Sequence, residues 1–157
     1  MAEAGELRGT ARSYLAAAEN ILNFIYPQNK NARLFLPALE NTFLAMYTAL
    51  NSLLRKELKK FKMHPPKNDS FLDRLPAFKE SLKRNGLSFS YATVALEMFN
   101  IIEEHKKSPV EFVRDGKFII CDDKFKTRML SYEQLKGYVL KTKIFIEELS
   151  AITNQNE

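Results

Sequence analysis

The chain of 157 residues has no tryptophan, one cysteine, two histidines and five glycines. Each scarcity closes off a class of protein. A single thiol, Cys121, can form no intramolecular disulfide and assemble no zinc cluster. Without a resolving partner it reads as a small hydrophobe in a strand. No glycine-rich phosphate loop, nucleophile elbow or HExxH segment is present. Neither His64 nor His105 has a glutamate three residues before it, which removes the Glu-x-x-His pattern of a di-metal bundle. No apolar run approaches the roughly 18 residues of a membrane span. The opening "MAEAGELRGT" is polar and acidic, unlike a secretory signal. These absences lead to the expectation of a cytoplasmic protein with no membrane association, no cofactor and no metal.

What is present is apolar surface and positive charge. Hydrophobic residues make up 45% of the chain, with twelve Phe and six Tyr, enough for one domain over residues 1–157 with a core of Phe, Leu and Ile. The net charge is +5, which permits contact with nucleic acid without requiring it. "RKELKKFKMHPPK" carries Arg55, Lys56, Lys59, Lys60, Lys62 and Lys67 against one Glu57. Lys83-Arg84 and Lys106-Lys107 form two further clusters. Two readings stay open for them: solvated helix ends whose charge complements the helix dipole, or phosphate contacts.

The dominant period is helical. Leu7, Ala11, Tyr14, Leu15, Ala18, Ile21, Leu22 and Ile25 mark a first apolar stripe, which Pro27 and the polar "QNKN" are expected to end. A longer helix follows, with Leu39, Phe43, Met46, Tyr47, Leu50, Leu53, Leu54, Leu58 and Phe61 on its buried side and Pro37 near its first turn. The tandem prolines of "MHPPKND" break it. Asn68, Asp69 or Ser70 caps a shorter helix that Gly86 terminates. Ser88 or Ser90 opens a fourth, with Phe89, Ala92, Ala95, Leu96, Phe99 and Ile102 on its apolar side, and Ser108-Pro109 stops it. "VEFVRDGKFIIC" then alternates and turns at Asp115-Gly116, a hairpin signal. "DDKFKTRML" reads either as a third strand or as an irregular return. Ser131 with Gln134 fits a capping box for a last helix carrying Leu135, Val139, Ile146 and Leu149, with residues 152–157 as a frayed tail. The expected fold is all-α, an up-and-down bundle of about five helices with a small β-hairpin near residues 110–129. The acidic pairs Glu103-Glu104, Asp122-Asp123 and Glu147-Glu148 read as solvated surface charge.

"ARSYLAAAENIL" followed by "LPALENTFLAMYTALNSLL" resembles the opening of HEPN domains, helical modules of prokaryotic toxins, antitoxin-linked proteins and RNA-processing systems. The element order is similar over most of the chain, and "SPVEFVRDGKFIICDD" resembles a feature of small archaeal relatives. The resemblance implies a homodimer. Active members carry an arginine, four to six residues, then a histidine, and cut RNA without metal across the dimer cleft. The matching window here is "NIIEEH", which puts Asn100 at the arginine position and His105 at the histidine. An amide supplies no charge to the phosphate transition state, where electrostatic stabilisation is usually the largest effect. The resemblance therefore implies a catalytically degenerate module that binds RNA, a nucleotide or a partner protein. Arg55, Lys59, Lys60, Lys62, Lys106 and Lys107 are its candidate nucleic-acid contacts. Two alternatives stay open: a metal-independent endoribonuclease using His105, with Asn100 as a hydrogen-bonding partner, and a small-ligand-binding bundle. On residues alone, His105 also reads as a helix C-terminal histidine that interacts with the last carbonyls.

Overall fold

The computed structural model describes residues 3–155. Helix takes up 73% of it. α1 (Ala4–Asn20) continues through a π-turn (Ile21–Ile25) into the short α2 (Tyr26–Asn29), and a 3₁₀ turn (Ala32–Leu34) leads into α3 (Phe35–Phe61). α4 (Phe71–Arg84), α5 (Ser90–Lys107), three strands and α6 (Tyr132–Gln155) complete the chain. Residues 156–157 of the expected tail lie outside the described residues.

Pro27 and "QNKN" close the first helical run as expected, at Asn29, but the proline itself lies inside the run. The π-turn absorbs it: the Tyr26 N–H donates to the Ile21 carbonyl, five residues back. Continued five-residue bonding would need the Leu22 carbonyl to accept from Pro27, which has no N–H. That carbonyl accepts instead from the Tyr132 hydroxyl at 3.3 Å, so the irregularity fixes the start of α6 against α1. The other boundaries follow local chemistry. The Ser70 hydroxyl accepts from the Asp73 N–H, the N-cap preference of a small hydroxyl. Gly86, at φ 66°, lets the Leu87 N–H return to the Leu82 carbonyl at 2.9 Å, the left-handed C-terminal motif that favours glycine. The Ser131 hydroxyl caps α6 by accepting from the Gln134 N–H at 3.2 Å, while the Gln134 amide donates to the Tyr138 hydroxyl rather than reaching back.

Strands β1 (Val110–Arg114), β2 (Lys117–Cys121) and β3 (Thr127–Leu130) form an antiparallel sheet in the order β1-β2-β3. The expected hairpin is thus correct but incomplete. Asp115 and Gly116 both take positive φ, as a two-residue turn between twisted strands requires. The third strand arises because Asp122 closes a second turn, its Oδ1 accepting from the Lys124 and Lys126 N–H groups at 2.8 Å each. Cross-strand partners share a face. Glu111, Ile120 and Arg128 form one row, and Val113, Phe118 and Leu130 the next on the same face. Phe118, Ile120 and Leu130 belong to the main core.

α3 packs against α1, α4, α5 and α6, and its buried Phe35, Leu39, Met46 and Leu50 form the middle of the core. α1 runs antiparallel to it: Ser52 donates to the Ala4 carbonyl at 3.1 Å, and Tyr26 packs on Phe35 at 4.9 Å. α6 is antiparallel to α1, through Arg12 on Ser150 and Tyr132 on Leu22. α5 is antiparallel to α6, with Tyr91 stacked on Phe145 at 4.4 Å. The up-and-down expectation fails at one connection. Phe43 meets Phe71 at 5.2 Å, Asn51 accepts from Arg74 at 2.7 Å and Glu57 accepts from Arg84 at 2.9 Å. Both numberings rise together, so α4 runs parallel to α3. Residues 62–70 make this possible: at about 3.3 Å per extended residue they can climb back the roughly 20 Å that separates Phe61 from the level of Tyr47. Pro65 and Pro66 favour the extended form, and the Tyr47 hydroxyl donates to the Asp69 carbonyl at 2.7 Å.

One consequence governs the site. The C-termini of α3, α4 and α6 lie at one end of the bundle with the start of α5. The end of α5 and the sheet lie at the other, about 27 Å away along α5.

Candidate functional site

His105 ends α5 at the sheet end of the molecule. Its Nδ1 faces both carboxylate oxygens of Glu111, at 2.8 and 2.9 Å. One residue earlier, Glu104 accepts two hydrogen bonds from Arg128, from Nε at 2.8 Å and from Nη2 at 2.6 Å. The two pairs use opposite ends of one cross-strand row, because Glu111 and Arg128 flank Ile120. Together they clamp the sheet face onto the end of α5. The hydrogen bonds it donates to Glu104 raise the Arg128 guanidinium pKa above its ordinary value, outweighing its partial burial, so it stays charged.

This arrangement corrects the reading of Glu104 as solvated charge. The helix-end reading of His105 also needs amending, because its partner is a strand carboxylate and not the last carbonyls of α5. Asp122 is likewise occupied, by the turn it closes. Asn100 is exposed, and five residues of ideal helix separate it from His105 by about 140° of rotation. Lys106 pairs with Glu103 at 3.1 Å. Lys107 lines a cleft of about 630 Å³ beside Lys126 and Arg128, but Glu104, Asp122 and Asp123 line it too. Three acids against three bases do not concentrate a polyanion. Among the described residues, no group of three or more His, Cys, Asp or Glu is placed to hold a metal ion. No helix among them is long and apolar enough to cross a membrane.

The opposite end has a different character. Lys59, Lys60 and Lys62 are exposed at the end of α3. The parallel course of α4 brings its own last turn, with the exposed Lys83, to the same end. Lys59 makes one surface contact, with Glu3 at 3.6 Å, worth little in water. Lys60 lies over the Phe61 ring at 5.4 Å. Phe61 and Phe89, which begin and end this rim, are each 52% exposed. Both were expected inside; Phe89 stands before the first turn of α5, where the expected Ala92, Ala95 and Ile102 are buried together with Tyr91, Met98 and Ile101. Arg55 is half-buried on α3, and the Lys56 Nζ is buried with no hydrogen-bond partner among the described residues, so Lys56 does not belong to the exposed surface.

The residue that holds this end together is one that sequence reasoning counted only as a charge. Glu57 is 5% exposed. Its carboxylate accepts from Arg84 Nε at 3.1 Å and Nη2 at 2.9 Å, from the Asn85 amide at 2.9 Å and from the Ser81 hydroxyl. Burying a carboxylate is tolerable only with such saturation. The hydrogen bond to Glu57 raises the Arg84 pKa in turn. Arg84 is therefore committed to the fold and does not stand in as the missing cation beside His105. The signal was a lone acid at core spacing from Leu50, Leu53 and Leu54 within a basic run.

Compared with protein-family models, with curated proteins and with solved structures, the chain matches none. The HEPN-like reading is accordingly taken up as a proposal.

Proposed function

We propose that this chain is a HEPN-like helical module without efficient catalysis, which binds single-stranded RNA across the end of the bundle formed by α3, α4 and the start of α5. The observation that carries the reading is that Lys59, Lys60 and Lys62 of α3 and Lys83 of α4, two runs far apart in sequence, are exposed at the same end of the bundle as the exposed Phe61 and Phe89. Lysines neutralise phosphates, and exposed aromatic faces stack on unpaired bases without demanding a sequence. Phosphate contacts by Lys106 and Lys107 are secondary, since Glu103, Glu104 and Asp123 surround them.

The loss of catalysis is argued from Asn100 and from the setting of His105. A phosphoryl transition state needs fixed positive charge. The amide of Asn100 supplies none, and Arg128 is bound to Glu104. One observation favours the alternative of an endoribonuclease: Glu111 holds Nδ1 of a histidine that is 31% exposed on its side chain, an orientation that leaves Nε2 for proton transfer. The test is to incubate purified protein with single-stranded RNA in a chelator, comparing wild type, His105→Ala and Asn100→Arg. The reading predicts binding without cutting by wild type. Cutting by wild type that vanishes in His105→Ala establishes the enzyme instead.

A further inference from the structure

The cleft at the sheet end is bordered by an edge strand. The Asp122 N–H donates to the Lys126 carbonyl at 2.9 Å, so these two residues form a bonded pair just before β3. Bonded and non-bonded pairs alternate along an antiparallel ladder. Ile120 with Arg128 is therefore the next bonded pair, and the N–H and C=O groups of Thr127 and Met129 point away from β2. β3 is an outer strand of the sheet, and Thr127 and Met129 both line the cleft of about 630 Å³. Arg128 supplies a second feature. Glu104 takes the Nε and Nη2 edge of its guanidinium. That contact fixes the orientation of the group and leaves Nη1 and the second Nη2 hydrogen as another fork. Such a fork matches the two oxygens of a carboxylate. The formal charges of the cleft balance, Lys107, Lys126 and Arg128 against Glu104, Asp122 and Asp123. A balanced cleft disfavours a polyanion and suits a molecule with one charge of each sign. Ile120 and the half-exposed Met129 add apolar surface.

We propose that this cleft binds a short peptide as an added strand on β3, its terminal carboxylate held by Arg128 and its amino group by the exposed Asp123. The outward N–H and C=O groups of Thr127 and Met129 pair with the peptide backbone, as in other cases where an extended segment joins a sheet edge. A peptide is preferred to a free amino acid because the latter has no peptide group to pair with the edge. The site lies at the opposite end of the molecule from the lysine-rich surface, and it does not rest on the RNA reading.

The experiment is calorimetric titration of the full chain with trialanine, with backbone amide signals followed by nuclear magnetic resonance. Trialanine should bind and shift the Thr127 and Met129 amides. Amidating its carboxyl group should weaken binding roughly tenfold, since the fork loses its charged partner. Free alanine should bind roughly tenfold more weakly too, for want of the ladder. Acetylating the amino group of trialanine, or Asp123→Lys, should each weaken binding roughly fivefold. Arg128→Lys keeps the charge but removes the fork, and should weaken binding roughly tenfold. The changes made on the peptide leave the protein untouched, so they test the site even where Arg128→Lys loosens the sheet. No binding at millimolar trialanine overturns the proposal. So does an amidated peptide or free alanine that binds as tightly as trialanine, or binding that leaves the Thr127 and Met129 signals in place.

Discussion

The two ends of the bundle both carry charged residues and put them to different use. At the sheet end, Glu104 is bound to Arg128, His105 to Glu111 and Lys106 to Glu103. Charge there is cancelled within the fold and serves to fix a sheet on a helix. At the other end the buried Glu57 gathers Ser81, Arg84 and Asn85, and the lysines around it are left over. Residual charge after internal pairing, and not the number of lysines in a run, distinguishes a surface available to a partner.

That comparison can be broken most forcefully at Glu57. Glu57→Ala leaves the Ser81, Asn85 and Arg84 donors without their acceptor and should cost about 2–4 kcal/mol in urea unfolding. Glu57→Gln should lose less, since one carbonyl oxygen remains to accept. If neither shifts the midpoint, the parallel pairing of α3 with α4 does not depend on this cluster. Next in size, Arg128→Ala should cost about 1–2 kcal/mol and loosen the sheet, visible as faster amide exchange in β3, while RNA affinity stays unchanged. Phe61→Ala sharpens the comparison further: stacking lost from one ring should lower RNA affinity by roughly fivefold without altering its salt dependence. The smallest effect concerns pH. Burial raises the phenol pKa of Tyr91 and Tyr138 above the ordinary value. The unfolded chain therefore ionises these phenols first, near pH 10, and stability is full below that pH and falls as pH rises through it. Tyr91→Phe should flatten the alkaline limb of a stability–pH curve.

The helices were legible in the sequence because their signals are local. Ser70, Gly86 and the Ser108-Pro109 pair punctuate the chain through backbone chemistry that needs no tertiary partner. Asp115-Gly116 fixed the first turn of the sheet for the same reason. What escaped was long-range. The continuation of the helix past Pro27 to Asn29 involves the Tyr132 hydroxyl, which the local sequence does not place. The direction of α4 depends on how far residues 62–70 extend, and periodicity carries no such information. The burial of α5 was legible in part: Ala92, Ala95 and Ile102 are inside as expected, but packing on both α3 and α6 widens the apolar arc and brings Tyr91, Met98 and Ile101 inside as well. Of the site, His105 and the lysines were visible as residue types. Their partners were not: Glu111 follows across a turn, and Arg128 is reached only through the sheet register.

The central claim is that RNA is held at the lysine-rich end and not at the sheet end. It is tested most directly by titrating fluorescent single-stranded RNA at several salt concentrations with wild type and two variants. One is Lys59→Ala/Lys60→Ala/Lys62→Ala and the other Lys106→Ala/Lys107→Ala. The account predicts that the first variant loses affinity by roughly 10–100-fold at low salt, with a shallower salt slope as fewer counterions are released, while the second stays close to wild type. The opposite pattern, with affinity lost only on replacing Lys106 and Lys107, would contradict it, as would a wild type that binds no RNA.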